Sequence, residues 1–203
     1  MYQIQNNYLF PTQIVTGQIP DFDKIQEPMI DWIEKYKSEN NFSVELSNMG
    51  GWQSLSKQIY EDKGFKPFEE KIVNCVNALC LEYKFFRPLN ITTMWINVND
   101  ENSYNVSHRH PNALLSGVLW IKQSKEMGEF VFDNMDNGYR DADVILNTHV
   151  DHLITNKMTP IYVPKYSDGT IMIFPANLSH RVDMNKTKEK RYSISFNINF
   201  LTS

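Results

Sequence analysis

The sequence has only two cysteines, Cys75 and Cys80, among its 203 residues. Both lie in an apolar helical pattern, and residues five apart on a helix do not share a face well enough to form a disulfide. The first residues also lack the basic start and apolar core of a secretory signal peptide. Two reduced, buried thiols and the absence of such a signal predict a cytoplasmic protein.

Long apolar runs and an excess of basic residues are absent as well. No segment approaches the ~20 apolar residues of a membrane-spanning helix, so we expect no membrane partner. A formal net charge of −4 and a pI of about 5.7 give no electrostatic reason to expect nucleic-acid binding. With 41% hydrophobic and 22% charged residues, the chain is predicted to fold as one globular domain, residues 1–203.

The first part of the chain, about 1–87, is predicted to be mainly helical. Asp21 is a good N-cap residue, and apolar residues follow at helical spacing over 25–36. After a polar stretch that contains residues 50–54, a second helical pattern extends over 68–81. We therefore expect two helices to flank the rest of the fold.

From about residue 88 the pattern changes to short β-rich runs separated by turn-forming residues. In the last run, apolar residues such as Ile194 and Phe196 alternate with small polar ones, as in a strand with one buried face. These runs predict an α+β, mainly β fold whose core is a sandwich or small barrel. A polar segment, 133–158, is interpreted as an insertion at the rim of the sheet. The expected strands are 91–98, 113–122, 129–132, 160–163, 170–174 and 192–200.

Histidines are the first candidates for chemistry. His108 and His110 are separated by one residue, so on a strand both side chains would leave the same face and could bind one ion. Imidazole suits Fe, Zn, Cu and Ni alike, and such a pair is also compatible with an ordinary surface. His180 follows a predicted buried strand that ends at a proline, and another strand is predicted to begin at His180. A pair on an early strand and one histidine on a late strand are how a jelly roll builds a three-ligand metal site with open positions.

Arg191 and Ser193 form a second constellation, because they share one face of the last predicted strand. A guanidinium can bind a carboxylate through two hydrogen bonds, and a serine hydroxyl can donate to the same group. Alternatively, Arg191 forms a surface salt bridge. Its position among small polar residues favours a buried anion site.

Several segments together resemble one known family. They are LFPT (9–12), GGWQS (50–54), WINVN (95–99), HRHP (108–111), LSGV (115–118), FP (174–175), LSH (178–180) and RYSISFN (191–197). In this combination, which extends over nearly the full length, the chain resembles 2-oxoglutarate/Fe(II)-dependent oxygenases of the HxHP type, related to prolyl hydroxylases. The resemblance implies a double-stranded β-helix (jelly roll) flanked by N-terminal helices. It also implies Fe(II) as cofactor, with 2-oxoglutarate and O₂ as co-substrates.

The resemblance assigns His108 and His180 to iron, Arg191 to the distal carboxylate of 2-oxoglutarate, and Ser193 to the support of that carboxylate. His110 stands where the wider superfamily has aspartate or glutamate. Either it is the third ligand of a catalytic site formed by all three histidines, or it forms a hydrogen bond nearby while water or another group completes the iron site.

Asn97 and Trp120 lie on the predicted strands before and after the histidine pair. They are candidate walls of the cofactor pocket. The alternatives are a sheet-edge amide for Asn97 and a core aromatic for Trp120.

The activity implied by the resemblance is hydroxylation of an unactivated C–H bond, coupled to decarboxylation of 2-oxoglutarate. The substrate would be a small molecule, a peptide or a protein, and a prolyl or other amino-acid side chain is a family-level expectation. Two alternatives stay open: a cupin-like three-histidine metalloenzyme that does not use 2-oxoglutarate, and a non-catalytic jelly-roll binding protein. The sequence identifies neither the substrate nor the oligomeric state.

Overall fold

The computed structural model describes residues 12–56, 59, 62–133 and 161–201. In this part of the chain, the strands form two antiparallel sheets, and two α-helices lie against one of them. The helices are α1 (Asp23–Glu39) and α2 (Lys66–Cys80), and short 3-10 turns occur at Leu81–Tyr83 and Lys125–Met127. The strands are β1 (Val15–Gln18), β2 (Asn48–Met49), β3 (Trp52–Gln53), β4 (Leu89–Asn99), β5 (Tyr104–His108), β6 (Leu115–Lys122), β7 (Phe130–Asp133), β8 (Ile161–Tyr162), β9 (Thr170–Pro175), β10 (His180–Val182) and β11 (Arg191–Phe200).

The larger sheet has the strand order β1-β9-β6-β11-β4-β3, and the smaller sheet has the order β2-β5-β10-β7-β8. Strand β11 lies between β4 and β6, and its side chains alternate between two environments. Ile194, Phe196 and Ile198 belong to the main hydrophobic core, whereas Arg191 and Ser193 line the space between the sheets. The predicted alternation of this strand is therefore confirmed.

The two helices cover the outer face of the larger sheet. Helix α1 contacts β6, and α2 contacts β1, β9 and β4. Each helix buries one stripe of side chains at intervals of three or four residues, as expected for an amphipathic helix on a sheet. The buried residues are Met29, Ile33 and Tyr36 in α1 and Phe68, Ile72 and Val76 in α2.

Helix α1 begins one residue later than predicted, because its N-cap is Phe22 and not Asp21. Asp21 has a left-handed backbone with φ of 51°, and its carboxylate accepts a hydrogen bond from Lys24 at 3.0 Å. Phe22 is the N-cap residue and is buried, without a side-chain capping bond. Burial of the Phe22 ring thus takes precedence over the capping preference of Asp21.

A second hydrophobic cluster lies between the two sheets and borders the cleft described below. Its buried members are Val118, Trp120, Phe130, Phe132, Met172 and Phe174. They come from β6, β7 and β9, so both sheets contribute to it.

The sequence placed His108 on an early strand and His180 where a strand begins, and β5 and β10 confirm this. Three short strands in the N-terminal part, which was expected to be helical, were not predicted: β1, β2 and β3. Each has five residues or fewer, which is too short for a clear alternating pattern. The strand expected at 160–163 is present as β8. Of the expected insertion, 133–158, residues 134–158 lie outside the described residues.

Cys75 and Cys80 are unpaired, as predicted. Within the described ranges, none of the helices has the length and apolar character needed to cross a membrane.

Candidate functional site

Three histidine rings meet between the two sheets. His108 is the last residue of β5, His180 is the first of β10, and the two are direct partners across this antiparallel pair. One possible ligand atom from each of His108, His110 and His180 lies within 4.8 Å of the other two. Nitrogens at this spacing can bind one metal ion, because metal–imidazole bonds are about 2.0–2.1 Å long.

His110 reaches this group by a route that differs from the prediction. Strand β5 ends at His108, so the two histidines do not leave one face of a continuous strand. After the strand, the backbone N–H of His110 donates to the Ala176 carbonyl at 2.9 Å, and the His110 carbonyl accepts from Ala113 at 3.2 Å. This anchoring to the segment after β9 places the His110 ring beside that of His180, with centroids 5.2 Å apart.

Backbone carbonyls orient two of the rings. Nδ1 of His108 lies 2.8 Å from the Val106 carbonyl, and Nδ1 of His180 lies 2.9 Å from the Leu178 carbonyl. A carbonyl oxygen can only accept, so we assign the proton of each neutral ring to Nδ1. Nε2 then carries the free lone pair that a metal ion requires.

Burial keeps the three imidazoles neutral. It lowers the pKa of His108, and burial together with the nearby His108 ring lowers the pKa of His110 to about 4. The same causes lower the pKa of His180 to about 3. Only the neutral ring can bind a metal, so all three histidines are in the ligating form at neutral pH.

The histidines border an open cleft between the sheets, with about 540 Å³ of empty space including its mouth. Every residue that the sequence suggested for the site lines this cleft: His108, His110, His180, Arg191, Ser193, Asn97 and Trp120.

Arg191 is the charged residue of the cleft and is only 2% exposed. Its Nη1 donates to the carbonyls of Met127, Gly128 and Asp183. Its Nη2 is buried and has no hydrogen-bond partner, and no carboxylate in the described ranges forms a salt bridge with it.

Burial lowers the pKa of Arg191 to about 10, so the guanidinium is still charged at neutral pH. A buried cation with an unpaired N–H is costly unless an anion binds to it. The site therefore fits a ligand carboxylate, and the predicted alternative of a surface salt bridge is wrong.

Ser193 lies between two predicted wall residues. It pairs across the sheet with Asn97 of β4 on one side and with Trp120 of β6 on the other. Asn97 Nδ2 donates to Ser195 Oγ at 3.1 Å, whereas Asn97 Oδ1 is buried without a partner. The indole of Trp120 stacks on Tyr166, with centroids 3.8 Å apart.

Sequence reasoning missed three further residues of this region. Trp95 and Ser195 line the cleft, and strand alternation could have found them, because they stand two positions from Asn97 and Ser193 respectively. Tyr166 packs behind the wall, and its hydroxyl accepts a hydrogen bond from the Phe130 N–H at 2.8 Å. Tyr166 precedes β9 in an irregular segment, where no periodicity pointed to it.

Comparisons with known proteins agree with this geometry. A model of the family described as "Putative 2OG-Fe(II) oxygenase" matches residues 93–197, a range that contains all seven suggested residues. No curated protein matches the sequence.

Solved structures show the same fold. The chain is similar to a prolyl-4-hydroxylase from Pseudomonas putida, with a TM-score of 0.63 and 8% identity over 94% of both chains. It is similar to the non-heme alpha-ketoglutarate-dependent carbocyclase SnoK of nogalamycin biosynthesis, with a TM-score of 0.65 and 10% identity over 92% of this chain and 79% of the other.

A third similar structure is a prolyl hydroxylase from Trichoplax adhaerens in complex with a hypoxia-inducible-factor peptide fragment. Its TM-score is 0.63, with 11% identity over 91% of this chain and 82% of the other. Similarity at these identities confirms the predicted jelly roll with N-terminal helices. Because the family model matches more than half of the sequence, this chain belongs to the 2-oxoglutarate/Fe(II) oxygenase family, whose members use Fe(II), 2-oxoglutarate and O₂.

Proposed function

We propose that this protein is a 2-oxoglutarate- and Fe(II)-dependent hydroxylase. In this proposal His108, His110 and His180 bind iron, and Arg191 with Ser193 binds the distal carboxylate of 2-oxoglutarate. The observation that carries it is the presence, in one cleft, of three neutral imidazoles and a buried guanidinium with an unpaired N–H.

Each residue contributes a separate part of this chemistry. Arg191 orients 2-oxoglutarate by charge, while Ser193 offers a hydroxyl that makes no hydrogen bond within the described part of the chain. Asn97 and Trp120 confine the co-substrate from both sides of Ser193. When bound, iron with O₂ and 2-oxoglutarate supplies the oxidation that removes CO₂ from the keto acid and converts a substrate C–H bond to C–OH.

The charge of the site also favours a dianionic co-substrate. Three imidazoles are neutral, whereas two histidines and a carboxylate would carry one negative charge. The proposed iron site is therefore one unit more positive than that arrangement, which strengthens its attraction for the keto-acid end of 2-oxoglutarate. Arg191 attracts the other end.

For the substrate, we propose a prolyl or other amino-acid side chain, in a peptide, a protein or a small molecule. The Trichoplax enzyme was crystallised with a peptide, which supports the peptide class by analogy of fold alone. The two unpaired cysteines are in keeping with a reducing cytoplasm as the place of the reaction.

The decisive test is an anaerobic titration of the Fe(II)-loaded protein with 2-oxoglutarate, monitored by visible absorption. We expect a metal-to-ligand charge-transfer band, because the keto acid would chelate the iron. Iron binding without this band would favour the cupin-like enzyme that does not use 2-oxoglutarate. Absence of iron binding would favour the non-catalytic binding protein.

A second keto acid sharpens this test. Pyruvate has the chelating end of 2-oxoglutarate but lacks the distal carboxylate. The wild-type protein should bind 2-oxoglutarate much more tightly than pyruvate, and Arg191→Lys should reduce this preference, because a lysine cannot form the two-pronged contact of a guanidinium. Equal affinity of the wild-type protein for both keto acids would contradict the role of Arg191.

A further inference from the structure

We infer that Trp95 and Ser195 form the substrate-contacting part of the cleft, and that they select an uncharged segment with hydrogen-bond acceptors, such as a residue inside a peptide. This inference rests on the proposed function, because it locates the substrate relative to the proposed iron and 2-oxoglutarate sites. It adds a substrate class and two specificity residues to that proposal.

The register of β4 and β11 orders the cleft into rows. Asn99 pairs with Arg191, Asn97 with Ser193, and Trp95 with Ser195. Successive rows are separated by two residues, or roughly 7 Å along the strand. The first two rows hold the proposed site for the distal carboxylate, so the third row is left for the substrate.

The third row is also next to the histidines. The Trp95 ring lies 5.6 Å from the His110 ring, measured between centroids, and both residues line the cleft. Val118 of β6 stands on the other side of Ser195 and lines the cleft as well. A substrate in contact with Trp95 would therefore lie close to the proposed iron site, with an aromatic and an aliphatic surface beside it.

Two hydrogen-bond donors in this row have no acceptor within the described part of the chain. Trp95 is partly exposed, and its Nε1–H makes no hydrogen bond there. Ser195 Oγ accepts a hydrogen bond from Asn97 Nδ2 at 3.1 Å, but its own proton is not donated to any described group. Two unused donors beside an apolar surface match a ligand that offers carbonyl oxygens.

The cleft offers no partner for a charged substrate group. Among the described residues that line it, Arg191 and the three histidines, which the proposed function assigns to iron, are the only ionisable ones. Arg191 is already assigned to 2-oxoglutarate, so the ammonium and carboxylate of a free amino acid would both be unpaired. A residue whose amino and carboxyl groups are in peptide bonds avoids this cost and supplies the acceptors.

The test compares capped peptides with free amino acids. Acetylated and amidated Ala-Xaa-Ala peptides, with Xaa a neutral residue, and the matching free amino acids would be titrated anaerobically into the Fe(II)–2-oxoglutarate complex. Binding is read from the change in the charge-transfer band, and 2-oxoglutarate consumption in air provides a second readout. We expect at least one capped peptide to bind more tightly than its free amino acid.

Substitutions in the third row test whether Trp95 and Ser195 contact the bound peptide. Trp95→Ala should weaken peptide binding by roughly tenfold, with the affinities for Fe(II) and 2-oxoglutarate retained. Ser195→Ala should also weaken peptide binding, with the affinity for Fe(II) retained. Trp95→Phe, which keeps an aromatic face but no N–H, should have an intermediate effect. Phe86→Ala is the control, because Phe86 is a fully exposed aromatic residue that does not line the cleft.

Tighter binding of free amino acids would overturn the inference. Unchanged peptide binding in Trp95→Ala would overturn it too, as would failure of every capped peptide to bind while the charge-transfer band is intact. Those results leave the proposed function standing. If the Fe(II)-loaded wild-type protein showed no charge-transfer band with 2-oxoglutarate, that result would instead contradict the proposed function itself.

Discussion

His108 and His180 face each other across the β5–β10 pair, and each ring places Nδ1 beside the carbonyl of the residue two positions earlier in its own chain segment. The two local arrangements are alike, although the residues are far apart in sequence. Both rings are therefore held with Nε2 free before any metal binds, which reduces the entropy lost when the site is occupied.

Replacement of His180 should remove the metal site. His180 is a proposed iron ligand and lies at the centre of the smaller sheet, where β10 pairs with both β5 and β7. We therefore expect His180→Ala to weaken Fe(II) binding by at least about a hundredfold and to abolish turnover. Equilibrium titration with Fe(II) under anaerobic conditions measures this loss. Equal iron affinity in the wild-type protein and the variant would refute the assignment.

Replacement of Arg191 should affect the co-substrate but not iron. We expect Arg191→Ala to weaken 2-oxoglutarate binding by ~2–5 kcal/mol, the range for removal of one partner of a buried charge pair, with Fe(II) affinity retained. Titration of the charge-transfer band measures the affinity for 2-oxoglutarate, and anaerobic titration with Fe(II) measures the affinity for iron. Ser193→Ala should have a smaller effect, because it removes one neutral donor.

Arg191 also donates to three backbone carbonyls, so Arg191→Ala could lower stability. Arg191→Lys is the matched variant that retains the charge. If both variants bound 2-oxoglutarate as tightly as the wild-type protein, the anion site would be elsewhere.

The metal-free protein should lose stability as the pH falls from about 6.5 to about 4. Burial holds the pKa of His110 at about 4 and that of His180 at about 3, below the ordinary value of 6.5. Over this range the unfolded chain binds protons that the folded state cannot, so protonation favours unfolding.

Urea unfolding of the metal-free protein between pH 7 and pH 4.5 measures this dependence. In the variant His110→Asn, the free energy of unfolding should fall less with pH than in the wild-type protein, because one histidine with a lowered pKa has been removed. An identical pH dependence in both proteins would show that His110 does not contribute.

Asp133 is expected to position the metal site from the opposite face of the smaller sheet. Its carboxylate accepts a hydrogen bond from Ser107 Oγ at 2.6 Å and pairs with the guanidinium of Arg181. Ser107 precedes His108 and Arg181 follows His180, so Asp133 connects the two strands that carry these ligands.

Asp133→Asn should therefore weaken Fe(II) binding by roughly tenfold, the lower end of the range for residues that orient metal ligands. Asp183→Asn is the matched control, because Asp183 contacts the same Arg181, at 3.2 Å, but makes no contact with Ser107. Titration with Fe(II) compares the two. If Asp133→Asn and Asp183→Asn bound Fe(II) with similar affinity, Asp133 would not position the iron ligands through the strands. The variant Asp133→Glu tests whether a carboxylate at this position restores Fe(II) binding.

Gly117 should tolerate no side chain. It pairs with Phe196 of β11, and a Cβ at this position would overlap the Phe196 ring and approach the Met172 carbonyl oxygen to 2.9 Å. We expect Gly117→Ala to lower the free energy of unfolding by about 1–3 kcal/mol, as for other overpacked cores. At Gly17 the three atoms nearest to an added Cβ all belong to the flexible Leu79 side chain, the closest at 2.8 Å. Gly17→Ala should therefore be less destabilising in the same urea experiment.

The sequence predicted the long elements and most of the candidate residues. Strand β11 was visible because Ile194, Phe196 and Ile198 alternate with small polar residues, a pattern that depends on local geometry alone. The same alternation placed Arg191 and Ser193 on one face. Both helices were visible from their apolar stripes, although the start of α1 was predicted one residue early.

The short strands and the geometry of the site depended on contacts between distant segments. Strands β5 and β10 have five and three residues, and each becomes a strand because it pairs with neighbours in the smaller sheet. The ring of His110 joins the other two through a hydrogen bond to Ala176, which no local pattern indicates.

The sequence by itself thus determined which residue types were available for iron and a carboxylate, and which face of β11 carries Arg191 and Ser193. Only the tertiary structure decided that His110 lies beside His180, that Arg191 has a buried N–H without a partner among the described residues, and that Trp95 lies beside His110 in the same cleft. The physical reason is that periodicity reports the direction of a side chain relative to its own strand. Distances between strands and the pairing of buried polar atoms are set when the two sheets pack together.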